Sequence, residues 1–263
     1  MQAMKLIKQK FNKAASRYEQ YDQVQKHIAK ELIERLNTTN ENIVEPINNI
    51  IDVGCGTGNL FLKLQNLYPD ATITGMDIAV NMLQQNSFCY HHNICADFRK
   101  LPFGKNTYDL AIANMSLHWQ DNLALTLNNI FNIMSKNGSV AFSIPIDGSL
   151  LEIKQAYKDL PNHTSAKNNF IDHKTLENIL ANYRILDITY KTNTLLFDNF
   201  TNILQHFKHT GTSYYYPNKT SGLKTIEHIK QLECAYMKQK TNAGKLPLSY
   251  RIAYVVIGQK ENI

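Results

Sequence analysis

The feature that most constrains this chain is a run of three glycines within five residues, in the stretch IIDVGCGTGNLFLKL. Gly54, Gly56 and Gly58 separate a short apolar run from a segment with helical spacing of its apolar residues. A glycine-rich turn from a strand into a helix lets the backbone approach a ligand and points helix N–H groups at it. The stretch therefore predicts a buried strand at 50–53 that ends in a ligand-binding loop.

The rest of the chain repeats this order of strand and helix. Strands that alternate with helices predict an α/β fold, a Rossmann-like, doubly wound, mostly parallel sheet of seven strands. The predicted strands are 50–53, 71–76, 90–96, 108–119 with its exit loop, 139–145, 184–197 and 251–261. The predicted helices are 3–36, 59–68, 79–85, 123–134, 148–160, 174–183, 199–209 and 222–240, with a loop at 37–42.

We predict a single domain over residues 1–263, because the length suits one core with an insertion and no internal repeat is present. Residues 1–45 form an N-terminal helical lid, and 46–204 form the Rossmann-like core. A helical insertion follows at 205–248, and 249–263 form the last strand.

The glycine spacing discriminates between ligand loops. A Walker phosphate loop requires a Gly-Lys-Ser/Thr ending, whereas Asn59 and Leu60 follow Gly58. The dinucleotide fingerprint G-x-G-x-x-G is one residue longer than the G-x-G-x-G of this chain. The spacing favours a turn that binds S-adenosylmethionine, where no pyrophosphate has to be held. A purely structural tight turn is the alternative.

Side chains at the ends of the next strands favour a nucleoside site. Asp77 ends the second predicted strand nineteen residues after Gly58, where a carboxylate can bind both ribose hydroxyls. Asp97 and Phe98 end the third strand and place a carboxylate and an apolar ring where an adenine would lie. Asn114 lies near the end of the fourth. Parallel strands bind ligands at their carboxyl ends, so a set of such residues indicates one site.

Composition limits the cellular setting and the classes of ligand. The N-terminus has no apolar signal segment, and no apolar run approaches the ~18 residues that span a bilayer. Four cysteines in 263 residues do not form a disulfide framework, so we expect a cytoplasmic protein with no membrane partner. Aromatic-interleaved basic runs typical of nucleic-acid binding are absent. The run Cys89-x-His91-His92-x-x-Cys95 enters a strand whose alternate residues face opposite ways, and we predict no metal.

The net charge of +6 is concentrated in two segments that are distant in sequence. Residues 1–36 hold eight Lys and Arg against four Asp and Glu, and residues 205–251 hold eight against two. The remainder of the chain is therefore negative. If the two segments meet in space they indicate an acidic partner, and solvated helix faces are the alternative.

Taken together, these stretches resemble class I S-adenosylmethionine-dependent methyltransferases. The likeness runs from DVGCGTG through GMDIAVNML, ADFRKLPF and YDLAIANMSLHW to NGSVAFSIP. Within that superfamily the chain is similar to the malonyl-acyl-carrier-protein O-methyltransferases of biotin synthesis. FNKAASRYEQYDQVQ, SLHWQDNL, FSIPIDGSLLEIKQAY, HFKHTGTSYYYPNK and GKLPLSYRIAYVVIGQKE carry this narrower likeness over nearly the whole chain. His118 departs from a common Gln, and Ala113 from a common Ser.

The resemblance implies S-adenosylmethionine as the cofactor. Asp77 would hold its ribose, Ile78 and Phe98 would flank the adenine, and Asp97 would reach the adenine amino group. The glycine loop would face the methionine part, and Asp52 would orient its ammonium group. The implied cofactor-binding residues are Asp52, Gly54, Gly56, Gly58, Asp77, Ile78, Met82, Asp97, Phe98 and Asn114. Core packing is the alternative for Ile78, Met82 and Phe98.

The resemblance also implies a reaction, methylation of the free carboxylate of a malonyl thioester, early in biotin (pimeloyl) synthesis. A carboxylate is ionised at pH 7 and needs no general base, only alignment and removal of water. The helical arm at 6–36 is the expected lid. Tyr18, His118 and Trp119 are the candidate catalytic residues. A core aromatic is the alternative for Tyr18, and a loop histidine bound to water is the alternative for His118.

An acidic acyl carrier protein that bears the malonyl group would give the two basic segments a partner. The candidate docking residues are Lys208, Lys219, Lys224 and Lys230. Malonyl-CoA is the other acceptor form. Another small-molecule C- or O-methyltransferase, acting on a quinone precursor or a different carboxylate, is the alternative function, followed by a catalytically silent cofactor-binding partner protein. A monomer is the favoured state.

Overall fold

The computed structural model describes residues 2–40, 46–86, 90–160, 170–212 and 226–260. Its strands are β1 Asn49–Val53, β2 Thr72–Asp77, β3 His92–Cys95, β4 Tyr108–Asn114, β5 Met134–Pro145, β6 Arg184–Phe197 and β7 Leu246–Gly258. They form one seven-stranded sheet in the order β3-β2-β1-β4-β5-β7-β6. The first five pair in parallel, and β7 pairs antiparallel with β5 and β6. The predicted doubly wound, mostly parallel sheet is confirmed.

Helices cover both faces of this sheet. They are α1 Gln2–Ala14, α2 Gln23–Asn40, α3 Phe61–Leu67, α4 Val80–Gln85, α5 Leu123–Phe131, α6 Leu151–Lys158, α7 His173–Leu180, α8 Phe200–His209 and α9 Ile226–Met237. Ile50 packs into one hydrophobic cluster with α2, α3, α6, α8 and α9, and its neighbour Ile51 packs into another with α1, α5 and α7. Since successive strand residues point to opposite faces, strands buried on both sides read as continuous apolar runs. No helix in the described ranges is both long and apolar enough to cross a bilayer.

The N-terminal arm is more broken, and longer, than predicted. A 3₁₀ segment, Ala15–Gln20, separates α1 from α2 and replaces the end of the first of the two helical runs predicted within 3–36. The predicted loop at 37–42 is wrong for its first residues, because α2 continues to Asn40. The hydroxyls of Thr38 and Thr39 donate 2.8 Å hydrogen bonds to carbonyls three residues earlier, which satisfies backbone acceptors in the last turn.

Two predicted boundaries near the end of the chain also shift. Residue 205, the predicted start of the insertion, falls inside α8, and β7 begins at Leu246 rather than at 249. The strand starts early because Leu246, Pro247 and Leu248 pair in register with the end of β6. Between these two strands, the described part of the chain forms α8 and α9.

The strand order reverses at β1, which lies between β2 and β4. At such a switch point the loops leave the sheet in opposite directions and open a crevice at the carboxyl edge. The arm lies over this edge. Asn81, in α4, donates from its backbone N–H to Asn12 Oδ1 at 2.9 Å and from its side chain to the Asn12 carbonyl at 3.1 Å. Met4 and Ile7 of α1 are buried against the sheet.

Candidate active site

A cavity of about 870 Å³, its opening to solvent included, occupies the crevice beneath the arm. Its wall on the sheet side comes from the strand ends and the loops that follow them. Those residues are Gly54, Gly56, Met76, Asp77, Ile78, Met82, Ala96, Phe98, Asn114, Met115, Ser116, His118, Trp119 and Pro145. The arm and the C-terminal half close the other side. Those residues are Met4, Ile7, Phe11, Tyr18, Gln25, Phe170, Thr210, Thr212 and Tyr250.

The glycine loop presents bare backbone to this cavity. Gly54 adopts φ +78°, a conformation that favours glycine, and its N–H donates to the Met76 carbonyl at 2.7 Å. A Cβ at Gly54 would lie 2.4 Å from the Cβ of Ser116, so only glycine fits there. Gly58 does not line the cavity. Its N–H donates to the Cys55 carbonyl at 3.0 Å, which gives it a place in the turn itself.

Asp77 joins the two loops that leave β1 and β2. One carboxylate oxygen accepts from the Gly56 N–H at 3.0 Å, and the other accepts from the Ala79 N–H at 2.7 Å. Burial raises the pKa of Asp77, and these backbone hydrogen bonds oppose that rise. The carboxylate therefore lies at the cavity wall, fixed to the glycine loop.

A smaller cavity of about 310 Å³ adjoins the first and shares Tyr18, Gln25 and Asn114 with it. Asp52, 1% exposed at the end of β1, lines this second cavity rather than the main one. Its Oδ2 accepts a short hydrogen bond from the Tyr90 hydroxyl, and its Oδ1 has no hydrogen-bond donor among the described residues. Burial raises the pKa of Asp52 to about 7, the Tyr90 hydrogen bond lowers it, and the Asp77 charge raises it.

The predicted adenine wall is only partly assembled. Ile78, Met82 and Phe98 line the main cavity together. Asp97 does not, because Arg99 holds both of its oxygens through Nε at 3.0 Å, and this pairing lowers the pKa of the carboxyl against the opposing effect of burial. Asp97 is engaged by Arg99 in this structure, and its contact with the adenine stays a prediction.

Asn114 connects the sheet to the arm. Its Nδ2 donates to the Gln25 carbonyl at 3.0 Å, and its Oδ1 accepts from the Ser143 hydroxyl at 2.8 Å. The predicted cofactor contact thus lies in the cavity wall with its amide already engaged. It also fixes α2 above the carboxyl end of β4.

Tyr18, His118 and Trp119, the candidate catalytic residues, all line the main cavity. The Trp119 ring meets the Phe11 ring edge-on, with centroids 5.4 Å apart. Burial of the His118 ring lowers its pKa to about 3. Burial raises the pKa of Tyr18, and the charges of Asp22 and Asp77 raise it further. Both side chains are therefore neutral at pH 7.

Several lining residues were not identified from the sequence. Met4, Ile7 and Phe11 recur at helical spacing, which predicts an apolar face but not what it covers. Tyr250 comes from β7, and its hydroxyl lies 3.0 Å from His206 Nε2. Neither its position nor that of Gln25 has a local sequence signal, since both are set by long-range packing.

The candidate docking lysines are only partly covered by the structure. Lys208 and Lys230 are exposed on α8 and α9, whereas Lys219 and Lys224 lie outside the described residues. Next to Lys208, the His209 ring stacks on Tyr21 of the arm with centroids 4.4 Å apart. Burial lowers the pKa of His209, and the charges of Arg17 and Lys208 lower it further. The two basic segments therefore meet in space.

The fold, the glycine loop and the covered cavity define the class as a class I S-adenosylmethionine-dependent methyltransferase. The methyltransferase domain family matches residues 51–142. The fold is similar to that of the YcgJ protein from Bacillus subtilis, with a TM-score of 0.58 and 13% identity over 87% of this chain and 99% of the other. It is also similar to the plantazolicin methyltransferase BpumL, solved in complex with SAH, with a TM-score of 0.51 and 14% identity over 97% and 98%.

Relatives matched over almost the whole chain give the family. The malonyl-[acyl-carrier protein] O-methyltransferase of Buchnera aphidicola is 30% identical over 258 residues, which cover 96% of this chain and 98% of the relative. That of Legionella pneumophila is 29% identical over 255 residues, covering 94% and 88%. The chain belongs to the malonyl-[acyl-carrier protein] O-methyltransferase family.

Proposed function

We propose that this enzyme transfers a methyl group from S-adenosylmethionine to the free carboxylate of a malonyl thioester, an early step of biotin synthesis. The acceptor would be carried on an acyl carrier protein or on coenzyme A. Relatives with this printed activity match 94–96% of the chain, including the arm and the C-terminal half that wall the cavity. That extent supports a shared acceptor as well as a shared cofactor.

The observation that carries the proposal is the charge state of the cavity lining. Tyr18 and Tyr250 have pKa values raised by burial, and His118 has one lowered to about 3. An efficient general base needs a pKa near the working pH. Asp77 also lines this cavity, but both of its oxygens accept backbone hydrogen bonds and it is assigned to the ribose. Tyr18, Tyr250 and His118 therefore suit an acceptor that arrives already ionised, and a carboxylate is ionised at pH 7.

The residues present fit the cofactor. Gly54 and Gly56 present backbone without side chains to the main cavity, and the buried Asp52 Oδ1 is an acceptor suited to an ammonium group. Asp77 would hold the ribose, and Phe98 with Ile78 would enclose the adenine. When bound, S-adenosylmethionine supplies an electrophilic methyl group. The chain's own residues then have to hold the acceptor carboxylate and exclude water.

The arm is suited to both tasks. Phe11 and the apolar residues of α1 close the cavity on the side opposite the sheet. A carboxylate stripped of water is more reactive, because solvation stabilises its localised charge more than the dispersed charge of the transition state. The neutral Tyr18 hydroxyl is a donor that can orient one carboxylate oxygen without forming an ion pair. Trp119 would hold the acceptor chain against α1.

An acidic carrier protein would dock where the arm meets α8. Arg17 and Lys208 act together on His209, and the adjacent Thr210 and Thr212 line the cavity. Cations at this place lie at the C-terminal end of α8, where they also complement the helix dipole. A negative partner would therefore be attracted to the mouth through which its acyl chain has to enter.

The test is a methyl-transfer assay with labelled cofactor and purified acceptors. Malonyl-carrier protein, malonyl-CoA and free malonate are compared with the acetyl thioester of the same carrier, which lacks the free carboxylate. We expect a methyl ester on one or both malonyl thioesters, identified by mass spectrometry, and none on the acetyl control. Transfer to neither malonyl thioester, or equal labelling of the acetyl control, would contradict the proposal.

A further inference from the structure

Tyr90 lies outside both cavity linings, yet it contacts the one carboxylate that faces the smaller cavity. It is 6% exposed, and its hydroxyl donates to Asp52 Oδ2. The ring lies against β2 at Gly75, where a Cβ would come within 2.6 Å of it. Phe61 meets the Tyr90 ring edge-on, with centroids 5.2 Å apart. The hydroxyl is therefore held in place by packing from two elements.

The ionisation of Asp52 depends on the Tyr90 hydroxyl more than that of an exposed carboxylate would. Because Tyr90 occupies Oδ2, Oδ1 is left as a buried acceptor in the smaller cavity. The ionisable groups facing it from the surrounding elements are Asp77, whose charge opposes ionisation, the Cys55 thiol, held protonated by burial, and the neutral Tyr18. Among these described groups, Tyr90 is the one that favours the charged carboxylate.

We propose that Tyr90 is a positioning residue that favours the ionised form of Asp52 and turns it so that Oδ1 can receive the α-ammonium group of the cofactor. The inference rests on the role proposed above for Asp52. The affinity for the amino-acid part of the cofactor then depends on Tyr90, a residue that does not contact the cofactor. The role of Tyr90 also explains why glycine stands at position 75, since a side chain there would displace the Tyr90 ring.

Removal of the Tyr90 hydroxyl should weaken the binding of ligands that carry an α-ammonium group. The Tyr90 hydrogen bond lowers the pKa of Asp52, so its removal raises that pKa and leaves less carboxylate ionised at neutral pH. A ligand with an α-ammonium group then loses affinity, whereas one without it does not. The loss grows as pH rises towards about 7, because the native carboxyl, with a pKa of about 7, becomes partly ionised there and that of the variant does not.

The experiment compares Tyr90→Phe with Tyr108→Phe by calorimetric binding. Tyr108 is a matched control, since it is also 6% exposed and hydrogen-bonded through its hydroxyl, to Thr74, but lies at the start of β4. The probes are S-adenosylhomocysteine, which has the amino-acid part, and 5′-methylthioadenosine, which lacks it. Titrations run from about pH 5.5 to about pH 7.5, below the usual α-amino pKa of about 7.7–8.0.

We expect Tyr90→Phe to weaken S-adenosylhomocysteine binding about tenfold at pH 7, as for a lost hydrogen bond to a charged group, and to leave 5′-methylthioadenosine unchanged. The acid limb, which is the fall in S-adenosylhomocysteine affinity as pH is lowered, should move to higher pH. Tyr108→Phe should change neither ligand. Adding Tyr90→Phe to Asp52→Asn should give little further loss, because the two act as one unit.

Equal weakening of both ligands, or a loss independent of pH, would overturn the proposal and indicate a packing role. If Tyr90→Phe does not fold, 3-fluorotyrosine incorporated at Tyr90 provides the test. Its more acidic hydroxyl should move the acid limb to lower pH, and an unmoved limb would again refute the idea. No acceptor is present in these titrations, so their outcome is independent of whether malonyl thioesters are the substrates.

Discussion

At the scale of single residues, the site is built on backbone that admits no side chain. Gly54 combines a positive φ with a gap too small for a Cβ, because Ser116 follows β4 directly beside it. Ser116 is fixed there, since its hydroxyl donates to the Val53 carbonyl at 2.6 Å. The shape of the glycine loop is therefore set by a residue about sixty positions away in sequence.

The first prediction concerns Gly54→Ala. The added Cβ must displace either the loop or Ser116, and the positive φ adds strain of about 1–3 kcal/mol. We expect S-adenosylhomocysteine affinity, measured by calorimetry, to fall about tenfold or more. Gly104→Ala is the matched control, since a Cβ there would meet only Thr107 Oγ1, at 3.8 Å, and should leave affinity unchanged. Unchanged binding in the Gly54 variant would show that the loop does not contact the cofactor.

The second prediction concerns the pH dependence of stability through Asp52. Its pKa rises from about 3.9 in the unfolded chain to about 7 in the folded protein, because it is buried. Between these values the folded state holds a proton that the unfolded state has lost. The unfolding free energy of the native protein therefore falls as pH rises from about 4 to about 7.

Asp52→Asn removes this contribution, so its melting temperature relative to the native protein should rise by several degrees between about pH 5 and about pH 8. Thermal melts monitored by circular dichroism measure this difference. Asp70→Asn, at an exposed turn, should show a constant difference over the same range. A constant difference for Asp52→Asn as well would show that the buried carboxylate does not titrate as described. The same variant should bind S-adenosylhomocysteine more weakly, which separates stability from function.

At the scale of elements, the sequence predicts best what is local. The strand ends at Asp52 and Asp77 follow from apolar runs and glycine spacing, and both carboxylates lie at cavity walls. Asp97 fits the same pattern but is held by Arg99, two residues away. The sequence pattern of strand ends gives the position of a carboxylate along the chain. Its hydrogen-bond or ion-pair partner depends on which side chains lie close to it in the fold.

What covers the site could not be predicted from sequence, because it depends on how distant elements pack. The spacing of Met4, Ile7 and Phe11 indicates an apolar face, and many surfaces of the sheet could receive it. The structure places that face over the carboxyl edge through the contacts of Asn12 with Asn81. These amide contacts have no sequence signature, since both partners lie on ordinary exposed helix turns.

The third prediction tests the arm as a cover. Phe11 lines the cavity and packs on Trp119, whereas Leu6 of the same helix is 41% exposed. Phe11→Ala should lower kcat/KM for the methyl acceptor about tenfold, because an aromatic contact worth about 1 kcal/mol and some water exclusion are lost. Leu6→Ala should leave the rate within about twofold. If both variants behave alike, α1 does not serve as a lid over the reacting groups.

At the scale of the whole molecule, the charge distribution matches the topology. The sheet's carboxyl edge carries the site, and the basic arm and α8 meet beside it, although their segments are separated by more than 150 residues. The opposite edge, where β4 and β5 begin, has the exposed Lys136. Cations on the two edges are therefore distinguishable by their distance from the cavity mouth, and only those at the mouth should affect docking of a carrier protein.

The last prediction uses that difference. Lys208→Glu reverses a charge beside Arg17 and His209, so the KM for malonyl-carrier protein should rise about fivefold or more, with kcat little changed, since rim charges act mainly on association. The KM for a malonyl-pantetheine thioester, which has no protein surface, should be unchanged.

Lys136→Glu alters the net charge equally at the far edge and should affect neither substrate. The Lys208 effect should shrink with added salt, since exposed charges are screened over about 10 Å at 0.1 M. Equal responses of the two lysine variants would mean that net charge, rather than a docking site at the arm and α8, attracts the carrier.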